Sequence, residues 1–172
     1  MIFLTVGTTR FSFDRLLKTV DEAMCNLRLN EQLIVQSGVS DYQFKYPNVK
    51  VFKDLPFNKM VYYLKNARVV ITHGGPATIF LALKYAQNQP LVVPRLVGLN
   101  EHVNSHQEIF TVSLAQKGLI KTILPSQKLK EGLAIYLKKP NMVKDKRNLE
   151  PDQKLIQNLI SYTERLAPYE EE

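Results

Sequence analysis

Two clusters of glycine, histidine and amide side chains hold the residues of this 172-residue chain that could do chemistry. The first is Thr72-His73-Gly74-Gly75-Pro76-Ala77-Thr78, and the second is Asn100-Glu101-His102-Val103-Asn104-Ser105-His106-Gln107. A glycine pair after an apolar run lets a ligand approach the backbone closely, and Pro76 suits the first turn of a helix. The free N–H groups of such a turn attract anions, which makes a diphosphate the natural guest. The same glycines also serve a simple tight connection, and the motif alone leaves both readings open. In the second cluster His102 and His106 stand at i, i+4, but the glutamate of a zinc-protease arrangement is missing between them. No cysteine cluster supports zinc either, and no metal site is expected. Asn104, His106 and Gln107 offer hydrogen bonds to the hydroxyls and phosphates of a nucleotide-sugar, at the opening turn of an expected helix. Their plainer reading is a helix start with polar caps.

These groups need elements to hold them. Val69 to Ile71 reads as a buried strand leading into the first glycine turn, and Ile79, Phe80, Leu83 and Ala86 then recur at helical spacing. Pro90 restarts the chain, and Leu91-Val92-Val93 is a second buried strand ending at Pro94-Arg95. Strand, glycine turn, helix and strand make a βαβ unit. Upstream, Ile2 to Val6 forms a strand ending in Gly7-Thr8-Thr9, followed by a helix with Phe13, Leu16, Leu17, Val20 and Met24 on one face and Ser12 as its N-cap. Gln32 to Gln36 and Val49 to Phe52 read as two more strands, the first ending in Ser37-Gly38. A helix capped by Asn58 buries Met60, Val61, Leu64 and Ala67. The helix that carries Ile109, Phe110, Leu114 and Ala115 stops at Gly118, and Ile120 to Leu124 forms a further strand before a helix opened near Ser126 that runs to Lys138.

Strands alternating with helices in this way imply an α/β fold with a doubly wound, mostly parallel, Rossmann-like sheet, whose strand carboxyl ends bind ligands. The expected domain covers residues 1–140. Residues 141–172 form a basic linker and a final helix from Pro151, with Leu155, Ile156, Leu159, Ile160 and Leu166 on one side, read as docking on this domain or on a partner.

Composition narrows the classes. The 45% hydrophobic and 23% charged residues suit a water-soluble globular domain, with no repeat or low-complexity tract. No apolar run approaches the roughly 20 residues of a membrane helix, and the N-terminus enters a strand without a charged leader, so a cytosolic protein is expected. The single Cys25 cannot form an internal disulfide, fits a reducing compartment and reads as a core residue. The net charge of +7 favours anionic partners such as phosphorylated ligands or lipid surfaces, and no nucleic-acid-binding module is recognisable.

Together, Thr5-Val6-Gly7-Thr8 with Phe13-Asp14-Arg15-Leu16, the glycine cluster, Val93-Pro94-Arg95 and the run from Asn100 to Gln107 resemble the PssE-type subunit of bacterial exopolysaccharide and capsule glycosyltransferases. That subunit is similar to the catalytic subunit of the eukaryotic enzyme that adds the second N-acetylglucosamine to dolichol diphosphate, and to the C-terminal half of MurG-type transferases. The resemblance covers the chain to about Lys138. It implies the donor-binding C-terminal half of a GT-B glycosyltransferase split into two polypeptides. A membrane-anchored partner would supply the N-terminal half and hold a polyprenyl-diphosphate-linked acceptor, which places this chain at the cytoplasmic face of the membrane through that partner. UDP-sugar would be the substrate, with no cofactor or metal required. Gly74 to Thr78, with Gly7 and Thr8 on the facing turn, would meet the UDP diphosphate. His73 would shape the pocket, and Asn104, His106 and Gln107 would contact the sugar or diphosphate. Arg95 would counter phosphate charge or make a structural salt bridge. Glu101 and His102 are the candidates for catalytic or acceptor contacts. The glutamate that holds the ribose in MurG-type enzymes is matched here by Phe80, so ribose recognition is expected to come from elsewhere.

Overall fold

The computed structural model describes residues 1–123 and 128–140. Six strands form one sheet: β1 (Ile2–Thr5), β2 (Leu33–Gln36), β3 (Val49–Phe52), β4 (Val69–His73), β5 (Leu91–Val93) and β6 (Lys121–Thr122). Among the described residues five α-helices accompany them: α1 (Asp14–Asn26), α2 (Phe57–Asn66), α3 (Pro76–Tyr85), α4 (His106–Gln116) and α5 (Leu129–Lys138). The strand order is β3-β2-β1-β4-β5-β6, and every pairing is parallel. This is the Rossmann-like, doubly wound arrangement.

Period-2 alternation along the strands divides the core between two faces. Ile2, Leu4, Leu33, Val35, Val69, Ile71, Leu91 and Val93 pack with Leu16, Leu17, Val20 and Met24 of α1 and with Leu133 and Leu137 of α5. Phe3, Ile34 and Val70 pack on the other face with Leu64 of α2 and Ala82 of α3. Because both faces are covered, β1, β2, β4 and β5 are buried throughout, which is why they read as continuous apolar runs. The chain leaves β1 toward β2 on one side and returns as β4 on the other. The carboxyl ends of β1 and β4 therefore flank the switch point at which such sheets open a ligand crevice.

Several local expectations are corrected. Ser12 does not cap α1; Phe13 occupies that position, its ring fully buried and its N–H donated to Ser40 Oγ at 2.8 Å. Asn58 lies inside the first turn of α2, after Pro56, and its Oδ1 accepts the Lys59 N–H at 2.8 Å. Cys25 is exposed, on the outer side of α1. The helix after β5 starts at His106, so His102 and Asn104 precede it in a non-helical connection and the i, i+4 relation of the two histidines is not realised. Ile109 is 60% exposed, whereas Gln107 and Thr111 face inward. The expectation that α4 ends at Gly118 is met: Lys117 caps it, and Gly118 has φ of 71° and donates its N–H to the Ala115 carbonyl. Among the described residues β6 spans Lys121–Thr122, and Leu124, Ser126 and the expected helix from Pro151 lie outside them.

Candidate functional site

β1, β2 and β4 end side by side, and their terminal residues interlock. Gly7, just past β1, has φ of 77°, a conformation that side-chain-bearing residues avoid. A Cβ on Gly7 would lie 2.6 Å from His73 Cε1, and one on Gly75 would lie 2.2 Å from His73 Nε2. On the other side, a Cβ on Gly38, beyond β2, would sit 2.4 Å from the Gly7 carbonyl oxygen. The row Gly38, Gly7, His73 and Gly75 thus runs across three strand ends with no space for a methyl group at any of its three glycines. Gly74 is tight for a different reason: its open side faces Gln107 and Thr111 of α4. The glycine pair expected to admit a ligand is used first to seat His73 and to bring α4 close.

A cleft of about 300 Å³ opens above this row. Gly7, Thr8 and Thr9 form one wall, Gly75, Pro76, Ala77 and Thr78 at the start of α3 form the opposite wall, and Leu55 and Met60 add an apolar side. Thr5, Gln36 and His73 line it from within. None of these lining side chains is charged. Pro76 opens α3 without an N–H of its own, and no side chain caps that helix start. The dipole of the ten-residue α3 therefore points its positive end at the cleft, the arrangement that favours an anion.

Gln36 is a site residue that sequence reading passes over. Its Oε1 accepts the Thr5 hydroxyl at 2.6 Å and the Gly7 N–H at 3.0 Å, while its Nε2 donates to the Gly7 and Lys53 carbonyls at 3.0 and 2.9 Å. With its amide fully used and 1% of its surface exposed, it holds the Gly7 turn at a fixed height. A polar residue closing the apolar run Leu33-Ile34-Val35 was the available signal. Leu55 and Met60 were missed as site residues because apolar side chains at a cleft look like core.

His73 is 5% exposed, and its Nδ1 has no hydrogen-bond partner among the described residues. Burial, with the Arg95 charge second, pushes its pKa down to about 4, against a smaller opposing pull from the Thr5 carbonyl and a further push from His102. At neutral pH it is an uncharged imidazole with one N–H donor and one acceptor.

The second cluster is placed differently: Arg95, Glu101, His102, Asn104, His106 and Gln107 are not among the residues lining the cleft. Arg95 is 1% exposed and bonds to neither a phosphate-facing surface nor a carboxylate; its guanidinium donates to the carbonyls of Val6, Phe11, Ser12 and Glu101. Glu101 is buried, its carboxylate gripped by Arg15 at 2.9 and 2.8 Å and by the Leu96 N–H at 3.0 Å. Those three donors leave it poorly suited to accept a proton from a substrate. Gln107 is buried, and its Oε1 accepts the Arg95 N–H at 3.3 Å. His102 lies near Phe11, with ring centroids 6.2 Å apart, and its Nδ1 accepts the Asn104 N–H at 3.3 Å. The neutral tautomer that fits this bond carries its proton on Nε2 and presents a donor rather than a base. Burial lowers the His102 pKa, more than the Asn104 N–H contact acts on it. Asn104 Oδ1 accepts the His106 N–H at 3.3 Å, which closes the turn into α4. Phe80 packs against Phe110 with ring centroids 6.2 Å apart.

Among the described residues no group of three or more His, Cys, Asp or Glu side chains is arranged to hold a metal ion, and no helix is long and apolar enough to cross a membrane.

This architecture is shared with a known structure. The glycotransferase of kitacinnamycin superposes with a TM-score of 0.58 at 20% identity, over 93% of this chain and 37% of that one. A weaker similarity, to the glycosyltransferase SnogD from Streptomyces nogalater, has a TM-score of 0.49 at 16% identity over 71% of this chain and 30% of that one, and carries no fold argument. The chain thus spans 37% of the length of the first. No match was found among curated proteins. The sequence model described as glycosyltransferase family 28 C-terminal domain matches residues 1–159. With that match running over most of the chain, and with the sheet order and switch-point cleft just described, the chain belongs to the family of glycosyltransferase family 28 C-terminal domains, the C-terminal half of a GT-B architecture.

Proposed function

We propose that this chain is the donor-binding subunit of a two-component inverting glycosyltransferase. It takes a UDP-sugar and transfers the sugar to a polyprenyl-diphosphate-linked acceptor in exopolysaccharide or capsule synthesis. The observation that carries this reading is the cleft between the Gly7 turn and the start of α3, at the switch point of a family 28 C-terminal domain. The diphosphate would lie across the start of α3 at Gly75 to Thr78, with the hydroxyls of Thr8 and Thr78 as further donors. The base would rest on Leu55 and Met60, where an aromatic ring replaces water.

In this reading an acceptor hydroxyl displaces UDP at the anomeric carbon with inversion, and the negative charge grows on the leaving diphosphate. Fixed N–H and O–H donors at that point act where stabilisation counts most. Arg95, held behind the turn, adds positive potential without touching the ligand. Removing the acceptor proton requires a base. Glu101 is engaged by Arg15, and His102 presents a donor, so the base is assigned to the membrane-anchored partner that holds the acceptor. The same facts favour one second reading, a nucleotide-sugar-binding module without catalysis of its own.

The test is the thermal midpoint of the purified chain with UDP, CDP, GDP and a panel of UDP-sugars, since a ligand bound to the folded state raises it. Selective stabilisation by uridine nucleotides is the expected outcome, and indifference to all of them, alone and with the co-expressed partner, defeats the proposal. Sugar transfer that appears only on mixing with the partner separates the split enzyme from the module.

A further inference from the structure

Arg95 leads the fully buried side chains in size, yet it donates to carbonyls. Nη2 reaches the Val6 carbonyl at 2.8 Å; Nη1 reaches those of Ser12 at 2.8 Å, Phe11 at 3.0 Å and Glu101 at 3.3 Å. Its guanidinium carbon lies 4.6 Å from the centroid of the Phe13 ring, which is itself fully buried. Three of the four carbonyls belong to the stretch between the end of β1 and the start of α1. That stretch lends Gly7, Thr8 and Thr9 to the cleft, while Arg95 itself is not among the lining residues.

We propose that Arg95 is a positioning residue for the cleft: from the end of β5 it holds the turn between Gly7 and Phe13 in the one conformation that presents Gly7 and Thr8 to a ligand. The ligand in question rests on the nucleotide reading above. The physical case is that a surface turn with three carbonyls directed inward, beside a fourth from Glu101, needs a donor of matching shape. A guanidinium supplies five N–H groups in a rigid planar fork and a flat face for the ring, whereas an ammonium supplies three donors from one point. A buried cation without that many acceptors would cost more than the fold recovers. Burial depresses the Arg95 pKa to about 10, with Arg15 adding to the depression and Glu101 opposing it, so the group stays charged at neutral pH.

The experiment compares the wild-type chain with Arg95→Lys and with Val69→Ala, a core truncation at the opposite, amino end of the sheet. Amide hydrogen exchange of residues 7–13 and UDP affinity are both measured well below the thermal midpoints. The expected result for Arg95→Lys is faster exchange confined to residues 7–13 and the loop after β5, with UDP affinity weaker by about tenfold or more. Val69→Ala lowers the midpoint but leaves UDP affinity of the folded chain unchanged. Three results overturn the proposal: wild-type protection of residues 7–13 in Arg95→Lys, loosening spread over the whole sheet as in Val69→Ala, or unchanged UDP affinity. If wild type itself does not bind UDP, the nucleotide reading fails and the exchange data alone decide the role of Arg95. Should Arg95→Lys not fold, Phe13→Leu, which removes the ring under the guanidinium, carries the same comparison.

Discussion

The crevice between β1 and β4 and the connection between β5 and α4 hold similar kinds of residue and treat them in opposite ways. In the crevice, Thr8, Thr78 and the start of α3 face open space. In the connection, the Glu101 carboxylate takes Arg15 and the Leu96 N–H, Gln107 Oε1 takes the Arg95 N–H, and the Arg95 guanidinium spends Nη1 and Nη2 on backbone carbonyls while its Nε has no partner among the described residues. Residue type does not separate a ligand-facing group from one that closes a loop. Position relative to the switch point does, because only there do two strand ends diverge and leave their loops unpacked.

The sharpest way to break this comparison is at the glycine row. Gly7→Ala and Gly75→Ala should each cost about 3 kcal/mol, from a forced methyl contact with the buried imidazole and, at Gly7, from positive φ as well. Gly118→Ala has the same positive φ and open space around it, and should cost only about 1 kcal/mol. Chemical denaturation measures all three, and equal costs would remove the claim that packing on His73 dominates.

Acid tests the same region. Between the ordinary histidine value of 6.5 and about 4, the unfolded chain binds a proton that folded His73 refuses. Stability therefore climbs with pH through this window and falls on acidification, by an amount approaching roughly 3 kcal/mol at its lower end. In His73→Gln the slope of stability against pH from 6.5 to 4 should flatten; a slope equal to wild type would show that other groups carry it.

The connection should respond in stability rather than in binding. Glu101→Gln keeps the shape but removes the charge opposite Arg15, at a cost of about 1–2 kcal/mol, while the midpoint gain from UDP is retained. Smallest of all, Asn104→Ala should change stability by about 0.5 kcal/mol or less, since it loses one partly exposed bond to the His106 N–H. A loss of UDP stabilisation in Asn104→Ala would instead draw the connection into the site and blur the contrast.

Much of the fold was legible because parallel strands covered on both faces are apolar at every position, so Leu91 to Val93 was read with the observed bounds, and the β-branched residues of the edge strand Val49 to Phe52 marked it although Lys50 and Val51 are exposed. The start of α4 was not, because Asn104 and Ser105 are both reasonable cap residues and the contacts that hold the chain out of helix until His106, from Arg15, Leu96 and Arg95 to Glu101 and from Asn104 to the His106 N–H, come from the folded connection. Cys25 was placed inside by residue type, although helical period sets it beside the exposed face of α1. In the site, the glycine turns and His73 were visible as a motif. Gln36 was hidden because its role depends on Gly7 and Lys53, brought to it only by sheet pairing.

The row of Gly38, Gly7, His73 and Gly75 has an evolutionary consequence. The His73 ring fixes what positions 7 and 75 can be, so substitutions at these three positions are coupled and their effects do not add. A methyl group at position 75 becomes tolerable only once the imidazole at 73 is gone, and the reverse exchange meets the same barrier. The cleft floor therefore changes as a block or not at all, whereas the walls at Thr8, Thr9, Leu55 and Met60 carry no such constraint from the row.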